Sequence, residues 1–165
     1  IDAVEMCAPN NVVIYDIIKG KFPLPNESFD VIFNKSIIEH LHNPEVLLEE
    51  ASRLLRKDGL IITMCPSWVH TGWGPFYQDH THVTPFTLPS LRDIHLKNGF
   101  EIVDIRHFRQ LPLLWRYPLL KLFTEIIRKL PIPYSPQYQI SSSGNINKVV
   151  RFSNEVMLLC VARKV

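Results

Sequence analysis

A chain of 165 residues is long enough for one domain with a real core. Its composition, 46% hydrophobic and 21% charged, is globular and excludes a disordered chain. The formal net charge of +2 is too small to argue for a nucleic acid or another polyanion, and no apolar run reaches membrane-spanning length.

In chain order, Ala3–Ala8 reads as a helix tail closed by Pro9-Asn10. Val12–Tyr15 is a β-branched, apolar run ending in Asp16, the pattern of a buried strand. Lys19–Ser28 is turn-rich and Phe29–Phe33 is a second strand. Asn43-Pro44 starts a helix, since Asn accepts from free backbone N–H groups and Pro suits the first helical position. Leu47, Ala51, Leu54 and Leu55 fall on its inner face, Gly59 is expected to stop it, and Leu60–Met64 is a third strand. Pro66–Phe86 has no periodicity and is rich in aromatics, His, Gly and Pro, the composition of a functional loop. Thr87 caps a helix that runs to Asn98, with Leu88, Leu91 and Ile94 inward and Gly99 as its stop. Phe100–Phe108 is a fourth strand. Leu113–Leu130 is helical, apolar and basic, interrupted by Pro118; Pro131–Asn147 reads as mobile; Val156–Ala162 is the last strand.

Strands that alternate with helices and are apolar on both faces imply an α/β sandwich with a mostly parallel sheet. Ligands in such sheets sit at the C-terminal ends of the strands. Asp16, the Asn34–Glu39 segment and the loop after Met64 should therefore share one rim. Three cysteines (Cys7, Cys65, Cys160) lie far apart with no CxxC spacing, which points to free, buried thiols in a reducing, cytoplasmic compartment.

Two stretches, VVIYDI and FPLPNESFDVIFNKSIIEHLHNPEVLLEEASRLLRKDGLIITMCP, resemble class I S-adenosylmethionine (SAM)-dependent methyltransferases of the type 11 or 23 families. The segments DHTHVTPFTLPSLRDIHLKNGFEIV and SNEVMLLCVARK resemble the continuation of that pattern. The resemblance implies a Rossmann-like sandwich of strand order 3-2-1-4-5-7-6, mostly parallel with an antiparallel last strand. It implies SAM as cofactor, and methyl transfer to a small-molecule acceptor. The family's first strand and its Gly-rich turn have no counterpart here, and the chain opens at Ile1. The expectation is a single partial methyltransferase domain over 1–165 with its first strand or strands missing. Residues 66–86 would form its substrate loop and 111–147 an insertion.

By resemblance, Asp16 accepts a hydrogen bond from the adenine amino group and Ile17 packs on the adenine face. Asn34, Lys35 and Ser36 form the turn under the cofactor, and His40 of the Glu39-His40 pair shapes its pocket, an acid–base role for the pair being the alternative. An ordinary strand-end Asp and an ordinary strand-to-helix turn are the plainer alternatives. Asp79, His80 and His82 are the catalytic candidates, because a His could take a proton from an acceptor hydroxyl or amine as methyl moves. Alternatively they ligate a metal, or Asp79 and His82 only fix the loop. Two His spaced by two in a loop make a poor metal signature, so no metal ligand is assigned. Trp68, Trp73, Phe76 and Tyr77 either wall a substrate pocket or anchor the loop. Residues 113–130 are an insertion packed on the domain, a cap over a lipophilic substrate, or a peripheral membrane contact. A non-catalytic, methyltransferase-like scaffold is the alternative to the enzyme. No motif of the nucleic-acid amino-methylating enzymes is present.

Overall fold

The computed structural model describes residues 20–72, 74–134 and 145–165. The expected helix at 3–8, the strand at 12–15, Asp16, Ile17, Cys7 and Trp73 lie outside the described residues.

Among the described residues, four strands form one sheet: β1 (Phe29–Lys35), β2 (Leu55–Pro66), β3 (Phe100–Phe108) and β4 (Met157–Lys164), in the order β1-β2-β4-β3. β1 and β2 are parallel, while β4 runs antiparallel to both β2 and β3. This is the 4-5-7-6 portion of the expected order, with the closing strand reversed between its neighbours. β2 is hydrogen-bonded on both sides, and its Ile61, Thr63 and Cys65 are fully buried. β1 has one covered face. On the other, Val31 and Phe33 are 51% and 59% exposed, so the strand is not buried on both sides as its apolar run suggests.

Helix α1 (Glu45–Leu54) crosses between β1 and β2 and buries Leu47, Leu48, Ala51 and Leu54. The Asn43 side chain accepts from the Glu45 N–H at 3.3 Å, as expected for a helix start, and Pro44 stands one place earlier, at the N-cap. The helix ends at Leu54, not at Gly59, because Leu55 already pairs with Phe29 in the sheet. Pairing then jumps to Val31 with Leu60, so Arg56–Gly59 bulges out of the strand, with Asp58 at φ 63. Gly59 closes that excursion against backbone: a Cβ there would lie 2.9 Å from the Arg56 carbonyl and 3.2 Å from that of Asp30.

After β2 come α2 (Trp68–Thr71) and a 3-10 turn at Phe76–Gln78, two helical turns inside the aperiodic stretch. Helix α3 (Leu88–Lys97) starts at Thr87, whose hydroxyl accepts from the Ser90 N–H while the Ser90 hydroxyl accepts from the Thr87 N–H. Gly99, at φ 79, turns the chain into β3. Leu91 of α3 and Leu48 of α1 are fully buried against the sheet, each contributing about 1.5–3 kcal/mol.

The basic, apolar segment is broken at Pro118 as expected, into α4 (Pro112–Arg116), a 3-10 turn at Pro118–Leu120, and α5 (Lys121–Lys129). Leu119, Leu122 and Phe123 are 92%, 72% and 57% exposed, so much of its apolar surface faces outward. A further helix, α6 (Asn145–Asn154), packs on α5 where no helix is expected from sequence. Asn and β-branched residues give it weak intrinsic propensity; burial of Val150 and Ser153 compensates. Among the described residues no helix is long and apolar enough to cross a membrane.

Candidate active site

Parallel pairing brings the C-terminal ends of β1 and β2 together, with Lys35 opposite Met64. The chain leaves β1 through Ser36 at φ 55, whose N–H donates to the Met64 carbonyl at 2.9 Å. It then enters a single 3-10 turn, Ile38–His40, pinned by the fully buried Ile38.

Asn34 is held at that end by its amide nitrogen, which donates to Thr63 Oγ1 at 3.0 Å and more weakly to the Ile62 carbonyl at 3.4 Å. The Ile62 carbonyl can only accept, which fixes the amide orientation. Asn34 Oδ1 is thereby left buried with no hydrogen-bond partner among the described residues. The bond to Thr63 continues inward. His95 Nδ1–H donates to the Leu91 carbonyl at 2.7 Å, so its Nε2 accepts from the Thr63 hydroxyl at 3.0 Å. Burial holds the His95 imidazole below its ordinary pKa, consistent with this neutral tautomer. Lys35 is exposed and donates from Nζ to Gln110 Oε1 at 2.7 Å.

The loop residues are stapled onto the Ile38–His40 turn. The N–H groups of Val83 and Thr84 both donate to the Glu39 carbonyl, at 2.9 and 3.0 Å, and the Thr84 hydroxyl donates to the Leu41 carbonyl at 2.7 Å. This brings His82 beside Glu39 and His40. His82 Nε2 lies 4.0 Å from Glu39 Oε1 and 3.9 Å from Asp79 Oδ2, and the His40 and His82 rings meet edge-on at 4.6 Å. His82 Nδ1–H donates to the Phe76 carbonyl at 2.7 Å. Asp79 Oδ1 accepts from the Thr81 N–H and hydroxyl, at 2.9 and 2.5 Å, which holds its carboxyl below the ordinary range. The Thr81 oxygen, having donated its proton to Asp79, accepts from His40 Nδ1–H at 2.8 Å.

Glu39 is the unusual member. It is fully buried, and among the described residues neither carboxylate oxygen makes a well-formed hydrogen bond, Ser36 and nearby backbone amides approaching it only loosely. Burial pushes its carboxyl up to about 7; the Asp79 carboxylate adds to the rise, while nearby backbone amides and Ser36 offset part of it. Burial, with the neighbouring His82, lowers His40.

Of the sequence-read candidates, the structure gathers Asp79, His82 and His40 into one cluster. His80 is exposed on the same loop. Asn34 and Ser36 lie at the neighbouring strand end. From sequence Glu39 is only the partner of His40 in an alternative acid–base pair; the signal of its burial is a carboxylate set between Ile37, Ile38 and Leu41. Phe76 is 1% exposed and packs on Trp68, Tyr77 and His82, so it anchors the loop, whereas Tyr77 is 59% exposed. His70 pairs instead with His107 of β3, ring centroids 4.6 Å apart, and is pushed down to about 4 by burial and by that neighbour. Cys65 and Cys160 are free and buried, as their spacing suggests.

Comparison with known proteins agrees with this architecture. A family model described as a methyltransferase domain matches residues 2–63. A protein of Mycobacterium tuberculosis named a probable S-adenosylmethionine-dependent methyltransferase is 26% identical, over 54% of this chain and 42% of its own length. A relative in Mycolicibacterium smegmatis with a similar name is 29% identical, over 52% of this chain and 34% of its own. The chain thus spans less than half the length of these curated relatives. Among solved structures, a SAM-dependent methyltransferase from Archaeoglobus fulgidus has the same fold, with a TM-score of 0.60 at 20% identity, covering 99% of this chain and 72% of that one. One from Mesorhizobium loti gives a TM-score of 0.57 at 13% identity, covering 91% and 68%. Over residues 2–63 the chain is thus similar to a methyltransferase domain, and its fold is that of solved SAM-dependent methyltransferases.

Proposed function

We propose that the protein transfers a methyl group from SAM to a small-molecule acceptor at the rim formed by the ends of β1 and β2. The observation that carries this reading is Asn34 Oδ1, a buried acceptor without a partner among the described residues, on an amide already fixed by Thr63. Leaving such an atom unpaired costs about 1–3 kcal/mol, which a bound donor would recover. A SAM molecule offers donors of that kind, so the residues present fit the cofactor. Asn34, Lys35, Ser36 and His40 would hold one side of it, with Asp16 and Ile17 on the adenine.

Bound SAM supplies a methyl group already activated by its sulfonium charge. The chain's own task is then to align the acceptor, exclude water and take up a proton. His82 is the preferred base: its Nδ1–H is committed to the Phe76 carbonyl, which leaves Nε2 able to accept a proton. Asp79 orients His40 through Thr81, and His80 is the alternative base at the loop surface. Residues 66–86 would choose the acceptor.

Calorimetric titration of the full gene product with S-adenosylhomocysteine tests this reading. Stoichiometric binding is expected, weakened on the order of 10–100-fold by Asp16→Ala, the loss of one hydrogen bond to a carboxylate. No heat of binding and no competition with SAM would favour the non-catalytic scaffold.

The exposed apolar residues of 113–130 favour a peripheral membrane contact by the same protein. Arg116, Lys121, Arg128 and Lys129 would supply a basic rim. Sedimentation with anionic lipid vesicles should fall by at least about tenfold in a Leu119→Ser/Leu122→Ser double variant; unchanged partitioning would dismiss the contact.

A further inference from the structure

The geometry points to a binding site for a zinc-class divalent cation built from Glu39, His40 and His82. One donor atom from each of these residues lies within 4.8 Å of the other two. Two come from the turn after β1 and the third from the loop after β2, 42 residues from His40 in sequence, a set that no local spacing reveals.

Three observations support it. The Glu39 carboxylate is fully buried, and among the described residues neither of its oxygens makes a well-formed hydrogen bond. Both imidazoles are held through Nδ1, His82 by the Phe76 carbonyl and His40 by Thr81, whose hydroxyl is in turn held by Asp79. Each Nε2 is therefore left with its lone pair. Metal-binding histidines are oriented in this way, by a carbonyl or carboxylate on the far ring nitrogen. Finally, the Asp79 carboxylate, 3.9 Å from His82 Nε2, adds negative charge beside the site.

Two imidazoles and one carboxylate suit zinc, cobalt or another borderline cation better than magnesium or calcium, which prefer all-oxygen cages. Donors about 2.0–2.1 Å from a tetrahedral ion lie roughly 3.3 Å apart. The 4.0 Å between His82 Nε2 and Glu39 Oε1 is close to that, and side-chain rotation closes the rest. Three protein ligands leave a position open, which an oxygen or nitrogen of an exogenous ligand would take. The site stands on its own geometry; with an ion bound, His82 Nε2 is a ligand, and the base role proposed above passes to His80.

Chelator-stripped full gene product titrated with Co2+ and followed by visible absorption, and with Zn2+ by calorimetry, provides the test. One equivalent should bind in each case, Co2+ giving the intense bands of a low-coordinate site. Glu39→Gln and His82→Asn should each weaken binding on the order of 100-fold or more, while His107→Ala, which removes the other paired histidine, should leave it unchanged. Circular dichroism establishes that each variant is folded. Binding that survives Glu39→Gln and His82→Asn, binding lost in His107→Ala, or no stoichiometric binding would each overturn the site. S-adenosylhomocysteine calorimetry in the presence of chelator reports separately on the cofactor.

Discussion

Glu39→Gln is expected to melt roughly 5–10 °C above the parent protein at about pH 8 in chelator, with the gap closing towards about pH 5. The carboxyl is raised from 4.5 to about 7 in the folded state. Between those values the folded chain holds a proton that the unfolded chain has released. Glu39 therefore contributes stability that is fully present below its unfolded pKa and is lost as pH rises through about 7. At higher pH the folded state must carry an ionised carboxylate with no partner, at a cost of about 3 kcal/mol. Glutamine keeps the volume and removes the charge. Every other titrating group is common to the two proteins, so the difference between their melting curves isolates this one. Parallel pH profiles would mean that Glu39 is paired or solvated in solution.

The second large effect belongs to Thr63. Thr63→Val is nearly isosteric, yet it removes the one oxygen that serves both Asn34 and His95. His95 Nε2 would lose its donor and Asn34 Nδ2 its better acceptor, both in the buried interior. Two such losses cost roughly 2–4 kcal/mol, or about 5–12 °C in melting temperature for a chain of this size. Because Thr63 and His95 share the bond, His95→Leu combined with Thr63→Val should cost less than the sum of the single changes by at least about 0.5 kcal/mol. Additive losses would show that the bond contributes nothing.

The parts of this fold that sequence made legible are those with a local cause. Thr87 capping, the stop at Gly99 and the span of β3 each follow from a few adjacent residues, and the structure places them where expected. The end of α1 was misread because Gly59 carries the ordinary signal of a helix stop. The sheet instead captures Leu55 early, and the glycine serves a bulge. Helix α6 was missed because its formation rests on packing against α5 rather than on propensity. The site divides in the same way. The turn at Asn34–Ser36 and the loop histidines stand out as polar residues at a strand end and in an aromatic loop. That Glu39 faces His82, and that the Asn34 oxygen has no partner, depends on the carbonyl of Glu39 receiving Val83 and Thr84, a contact across more than 40 residues.

Under the proposed function, the turn leaving β1 forms one side of a SAM site. Hydrogen–deuterium exchange of the full gene product, with and without S-adenosylhomocysteine, tests it most directly. Bound S-adenosylhomocysteine is expected to slow exchange across the Asn34–His40 peptide. Binding that leaves exchange in this peptide unchanged would contradict it.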